Sequence, residues 1–414
     1  MNAYAVIVLV ALLSEYLLSI TASVLNLRAM SPEVPTEFLG VYEIDRYAKS
    51  QEYTRARTRF GLVQESVRLA VLLAFWQLGG FGWLDRAVRV QGWGEIGSGL
   101  LFVGGLMAAS GLIGLPFQLH STFFIEERFG FNRTTMATFW SDRVKAVMMS
   151  VVIGGLLLSA VLFFFAWAGG MAWLWCWAVT TVFMLATLFI GPTWIMPLFN
   201  KFSPLNEGVL QEAILGYARS VAFPLDGIFV IDGSRRSSKA NAFFTGFGRH
   251  KRIALYDTLI AHHTVDELVA VVAHEVGHYK RRHVFERLVL ACARMGAMFW
   301  LLSFFLEQPA LFAAFGVSEP SVYAGLVFFG LLFTPIDLVL SVAVHARSRQ
   351  NEFEADEFAI QTTGNCEPLV SALKKLSVDT LSNLTPHSLT VALSYSHPPL
   401  LQRITAMRKV AVTS

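Results

Sequence analysis

Long apolar runs alternate with polar blocks along this chain. Seven runs are long enough to cross a bilayer as helices, which takes about 20 residues. They cover 3–27, 61–84, 99–120, 144–168, 171–199, 288–315 and 322–345. The pattern predicts an α-helical membrane protein. Two polar blocks, 200–287 and 346–414, together hold roughly 157 residues, which suits one globular unit. The chain therefore divides into five spans with their loops (1–199), a first polar part (200–287), two more spans (288–345) and a second polar part (346–414).

Composition agrees. Of 414 residues, 54% are apolar and 15% charged, against roughly 25% charged in soluble proteins. Mean hydropathy is +0.52. The first run has no basic segment before it and exceeds a usual signal core, so it is expected to stay as an anchor. Lys and Arg concentrate in the first, third and fifth connections and in the tail; the fourth and sixth connections carry none. The positive-inside rule then puts the N-terminus outside and both polar blocks in the cytoplasm. A net charge of +3 gives no argument for nucleic acid. Cys176, Cys292 and Cys366 have no C-x-x-C spacing and predict neither a disulfide framework nor a cysteine metal site. Glu15, Glu65, Arg68, Arg294, Glu307 and Asp337 fall inside apolar runs. Such groups are costly in lipid and point to a hydrated interior, although Glu65 and Arg68 have the spacing of a local pair.

The first polar block opens with a helical stretch near 205–221. Residues 227–232 read as a strand, and 241–248 with 252–256 as a hairpin. A helix follows, and Thr264 with Glu267 has capping-box spacing. That helix carries His274-Glu275-Val276-Gly277-His278. Residues four apart share a helix face, so both imidazoles can hold one metal, and Glu275 can take a proton from an attacking water. This is the core of a zinc hydrolase, which needs a third protein ligand. The metzincin solution would require glycine at 281 and histidine at 284; the chain has Arg281 and Val284. A carboxylate from a second helix remains. The acid-rich stretch 348–359 offers Glu352, Glu354, Asp356 and Glu357. Glu352 and Asp356 share a face, so one can bind metal while the other orients a ligand imidazole. Spacing does not choose between Glu352 and Glu354.

The chain resembles the Ste24-type CaaX prenyl proteases, integral-membrane zinc metalloproteases of the M48 class. The likeness rests on FFIEERFGFN (123–132), RRSSKANAFF (235–244), KRIALYDT (251–258), the His274–His278 motif, LFAAFG (311–316), the Glu352 segment and SYSHPPLLQR (394–403). It implies seven transmembrane helices around a water-filled chamber, closed by a mainly helical zincin-type protease domain with a small β-hairpin or sheet. It implies one zinc per chain, held by His274, His278 and Glu352, with Asp356 behind them. It implies that Asn241, Ala242 and Phe243 bind substrate along a strand edge, and that His397 and Arg403 contact the scissile peptide or the developing oxyanion. His283 also matches a family position and is read as structural.

The implied reaction removes a short C-terminal tail from a lipid-modified peptide or protein, in a bacterial inner membrane or the endoplasmic reticulum. Two departures stand out: Lys239 occupies a position where the family often has histidine, and the link 258–274 is short. A membrane quality-control protease of the same class is the alternative. A transporter or receptor with a dead protease site is a further one, against which the intact Glu275 speaks.

Overall fold

A computed structural model gives the fold. It describes residues 2–247 and 250–413, with 243–247, 250 and 413 described by backbone only. The membrane part begins with α1 (Ala3–Arg28), whose first turn is capped by the Asn2 side chain accepting from the Ala5 N–H. Next come α2 (Ile44–Gln77), α3 (Gly80–Arg89), α4 (Gly94–His120), α5 (Met136–Met149), α6 (Gly155–Trp167) and α7 (Ala172–Ile190). Between α2 and α3 the chain turns by 64° at Gly79, whose φ of +74° suits glycine. The expected run 61–84 straddles this bend, so the second span is a broken pair. α2 also starts well before that run, and its polar first half leaves Tyr47 and Tyr53 buried. A π-helical turn joins α5 to α6, and others extend α4 and α7. Six helices are long and apolar enough to span, or seven with the bent pair.

The first polar block folds as β1 (Phe202–Pro204), α8 (Val209–Ser220), β2 (Leu225–Ile231), β3 (Ala242–Phe247), β4 (His250–Tyr256), α9 (Asp257–His262) and α10 (Val265–Lys280). The sheet order is β1-β2-β4-β3, with β2 and β4 parallel and the other pairs antiparallel. The hairpin is where the pattern placed it. β1 was not expected, since three residues carry no period. β3 lies at one edge and, among the described residues, pairs only with β4. Thr264 and Glu267 form the capping box at the start of α10.

Arg282, at φ +61°, breaks the helix after α10, and α11 (His283–Phe305) begins at once. α12 (Pro309–Ala314) is short. α13 (Val322–Thr363) runs 42 residues without a break, about 63 Å at 1.5 Å per residue. A bilayer core is about 30 Å thick, so this helix leaves the membrane and continues into the polar domain. The expected division at 345 is not a break in the helix. α14 (Glu367–Asp379), α15 (Ser388–Ser394) and α16 (Leu400–Thr413) finish the chain.

α13 is the span on which the others gather, touching α1, α4, α6 and α11. α1 touches α2 and α13, α4 touches α6, α7 touches α11, and α11 touches α13. No more than 22% of any span's most apolar window is buried, so each helix leaves most of its surface uncovered by the rest of the chain. Aromatics join α2, α13 and the end of α12: Phe315 stacks on Phe328 at 4.1 Å and on Trp76 at 4.8 Å. In the core of the protease domain Ile214, Ile253, Leu255, Val272, Ile360 and Ile404 pack between the sheet and helices α8, α10, α13 and α16.

Candidate metal centre

The centre forms where α10 crosses α13. Gly277 permits the close approach: a Cβ there would lie 3.0 Å from the Ala355 carbonyl oxygen and 3.1 Å from its Cα. Ala355 is itself fully buried. This contact brings Glu352 over the face of α10 that carries His274 and His278.

His274 Nε2 lies 3.2 Å from His278 Nε2 and 3.5 Å from Glu352 Oε2, and His278 Nε2 lies 3.3 Å from Glu352 Oε1. Ligand bonds of about 2.0–2.1 Å at tetrahedral angles put ligand atoms roughly 3.3–3.4 Å apart. The three side chains thus fit one tetrahedral cation. A second observation agrees. Glu352 Oε2 is buried and accepts no hydrogen bond, which leaves it a lone pair for a cation on the His274 side while Arg403 Nη1 approaches at 3.3 Å. Glu354 points elsewhere, 3.1 Å from His283 Nε2, so the structure separates the two acids that spacing could not.

Charge around the centre is arranged in layers. Asp356 Oδ1 stands 2.9 Å from His274 Nδ1. Arg403 grips Asp356 with two hydrogen bonds and places Nη1 3.3 Å from Glu352 Oε2. Burial pushes the His274 imidazole down, but Asp356 and Glu352 outweigh it and hold its pKa at about 9. Burial pushes Glu352 up, yet His274, His278 and Arg403 keep it well below the usual carboxylate range. Burial, reinforced by the Glu352 carboxylate, raises Glu275 against the pull of His274 and Arg403.

A hollow of about 150 Å³ opens beside the centre, lined by Asn241, Ala242, His274, Glu275, Glu352, His397 and Arg403 among others. His397 is 65% exposed, with Nε2 3.4 Å from Glu352 Oε1. It reaches the hollow because Arg349 on α13 donates to the Val391 and Tyr395 carbonyls and ties down the segment before it. Asn241 precedes β3, and its side chain accepts from the Ala242 N–H. Phe243 pairs with Ala254 through the backbone; its side chain lies outside the described residues. All of the expected site residues whose side chains are described therefore meet at one hollow or directly behind it.

A model described as CAAX prenyl protease N-terminal, five membrane helices, matches residues 23–201. A model described as Peptidase family M48 matches residues 204–411. The chain belongs to the M48 family, among its Ste24-type CaaX prenyl proteases. It is similar to CAAX prenyl protease 1 homologs of Arabidopsis thaliana (36% identical, 91% of this chain and 90% of the relative) and Homo sapiens (33%, 91% and 88%). It is also similar to CAAX prenyl protease 1 of Saccharomyces cerevisiae (33%, 89% and 87%). The crystal structure of S. mikatae Ste24p superposes with a TM-score of 0.93 at 29% identity, covering 98% of this chain and 99% of that one. The chain is thus a membrane-embedded metalloprotease of multi-pass architecture.

Against this family background Lys239 has a visible place. Its Nζ donates to Glu126 Oε2 at 2.8 Å and to the Tyr53 hydroxyl at 2.7 Å, and lies 4.2 Å from the Phe131 ring centroid. It ties the segment before β3 to α2 and to the end of α4. Arg236 adds a two-pronged pair with Asp142 of α5. Sequence spacing held no sign of either link, since both cross about 100 residues or more.

Proposed function

We propose that the chain is a zinc endopeptidase that cleaves C-terminal residues from prenylated CaaX-type peptides or proteins. The observation that carries it is the meeting of a three-ligand set, an adjacent half-buried acid and the start of an edge strand in one hollow. His274, His278 and Glu352 would hold the zinc, and Asp356 orients His274. Bound there, zinc supplies Lewis-acid polarisation of a carbonyl and acidifies water.

Substrate lies along β3 as an added strand, with Asn241, Ala242 and Phe243 pairing to its backbone. Glu275 takes the proton of the attacking water and returns it to the leaving amine. The opposite shifts of Glu275 and Glu352 support that division: one acid stays ionised, and the other sits nearer the range where it exchanges a proton. His397 donates to the developing oxyanion from the exposed side, and Arg403 supports it through Asp356 and Glu352.

The prenyl reading draws on the named activity of the relatives and on an apolar hollow of about 870 Å³ between α7 and α11, whose lining includes Val284 and Leu288 just past the metal-binding helix. The charge pattern of the loops supports an N-terminus outside and a cytoplasmic catalytic domain, in a bacterial inner membrane or the endoplasmic reticulum. In domain terms, 200–287 and 346–414 act as one protease unit held by the spans.

The test is incubation of purified protein with farnesylated and unmodified C-terminal peptides, with and without a chelator. Chelator-sensitive cleavage that favours the farnesylated peptide is expected. Equal cleavage of both would favour a quality-control protease.

A further inference from the structure

His278 has a neighbour on the side turned away from the centre. Its Nδ1 lies 3.0 Å from His283 Nδ1. His283 Nε2 in turn lies 3.1 Å from Glu354 Oε2. The other oxygen of Glu354 accepts from Arg347 Nη1 at 3.1 Å, and Arg347 closes a fork on Glu286 at 2.6 and 2.9 Å. His283 is completely buried. The left-handed turn at Arg282 folds the first residue of α11 back against the end of α10.

The chemistry of the two rings fixes the direction of this chain of contacts. A histidine that offers Nε2 to a metal as a neutral ligand carries its proton on Nδ1. His278 therefore donates from Nδ1. His283 Nδ1 must accept, which leaves its proton on Nε2, facing the Glu354 carboxylate. Each hydrogen bond then has one donor and one acceptor, ending on an anion that Arg347 holds in place.

We infer that His283 and Glu354 are positioning residues for the metal centre: together they fix the tautomer and ring plane of His278, as Asp356 does for His274. The two metal-binding imidazoles are thus oriented from one helix, α13, directly by Asp356 and through an intervening imidazole by Glu354. Glu354 lies two residues from Glu352, on the opposite side of the helix. It reaches the centre only because His283 bridges the gap. A buried histidine that merely filled space would need no such alignment of both nitrogens. This inference rests on the reading of His274, His278 and Glu352 as metal ligands.

The experiment measures zinc affinity of the purified full chain by competition with a chelator. Loss of an orienting partner typically weakens metal binding about 10–100-fold. His283→Leu, which keeps bulk, and Glu354→Ala should each show a loss of that order. His283→Gln, which can accept from His278 and donate to Glu354, should recover most of it. The double variant His283→Leu/Glu354→Ala should bind no more weakly than His283→Leu alone, because both break one chain. Melting temperatures without zinc report folding separately. Parent affinity in Glu354→Ala, or equal losses in His283→Leu and His283→Gln, would overturn the inference. His274→Ala tests the underlying reading by itself: zinc retained at parent affinity there would sink the metal centre, whatever the His283 variants do.

Discussion

Arg403 donates to Asp356 twice, Nε to Oδ2 at 2.8 Å and Nη2 to Oδ1 at 2.7 Å, and both side chains are buried. Two of its three nitrogens are thus committed behind the centre and not to substrate. Removing one partner of such a pair leaves a buried charge uncompensated, at about 3–5 kcal/mol. Arg403→Ala is therefore expected to lose zinc and to melt lower, beyond the weakened peptide binding that its motif position suggested. Arg403→Lys should not rescue it, because an ammonium cannot form the fork. Zinc content and melting temperature of both variants check this; full zinc with only a raised KM would return Arg403 to the substrate side.

His397 and Glu275 should behave differently from Arg403. Neither is among the three ligands, and His397 is largely exposed. Glu275→Ala should keep its zinc and lose about 10²–10⁴ or more in turnover. His397→Ala should keep zinc and thermal stability and lose about 10²–10³. Metal analysis beside peptide cleavage separates these outcomes. Activity that falls only in step with zinc would remove both from the proposed chemistry.

Gly277 offers a test of the helix crossing. The Ala355 backbone and the Phe358 ring stand 3.0–3.2 Å from where a Cβ would be. Gly277→Val adds two further carbons against backbone that cannot step aside. The variant should separate α10 from α13 and fail to hold zinc, even though valine is a tolerable helix residue. Parent zinc stoichiometry in Gly277→Val would show that the crossing does not set the ligand geometry.

Lys239→Met should unpin the segment before β3. The variant leaves the Glu126 carboxylate with the Tyr53 hydroxyl as its hydrogen-bond partner. A looser strand edge is expected to raise KM more than it lowers kcat, because the metal ligands lie on other elements. Steady-state kinetics with one peptide decides it: an unchanged KM would mean the link serves only to join the two parts of the chain.

Stability should depend on pH through Glu267. Burial raises its carboxyl pKa, but Lys375, Ser371 and the Thr264 N–H outweigh it and hold the pKa below 4.5. A depressed carboxylate contributes stability that is fully present above its unfolded pKa, near 4.5, and lost as pH falls through the folded value. Glu267→Gln should therefore melt several degrees below the parent at neutral pH, and the gap should close under acid. Melting curves in detergent between pH 7 and 3.5 would show it. A gap that stays constant over that range would mean the charge of Glu267 contributes nothing.

The sequence by itself determined six of the seven spans, the metal-binding helix and its capping box. Each is written in local periodicity: about 20 apolar residues for a bilayer, a four-residue repeat for His274 and His278, a three-residue offset for Thr264 and Glu267. It located the hairpin because the flanking residues alternate. It left Glu352 and Glu354 open, since both lie on the same acidic stretch and only a resemblance favoured one. Tertiary structure separated them: Gly277 against Ala355 sets how α13 is rotated over α10, and that rotation puts one acid on the His pair and the other on His283. The bend at Gly79, the short β1, the unbroken run of α13 through position 345 and the links of Lys239 and Arg403 were likewise decided in three dimensions. They depend on contacts between residues tens or hundreds of positions apart, or on a single backbone dihedral, and neither leaves a period along the chain.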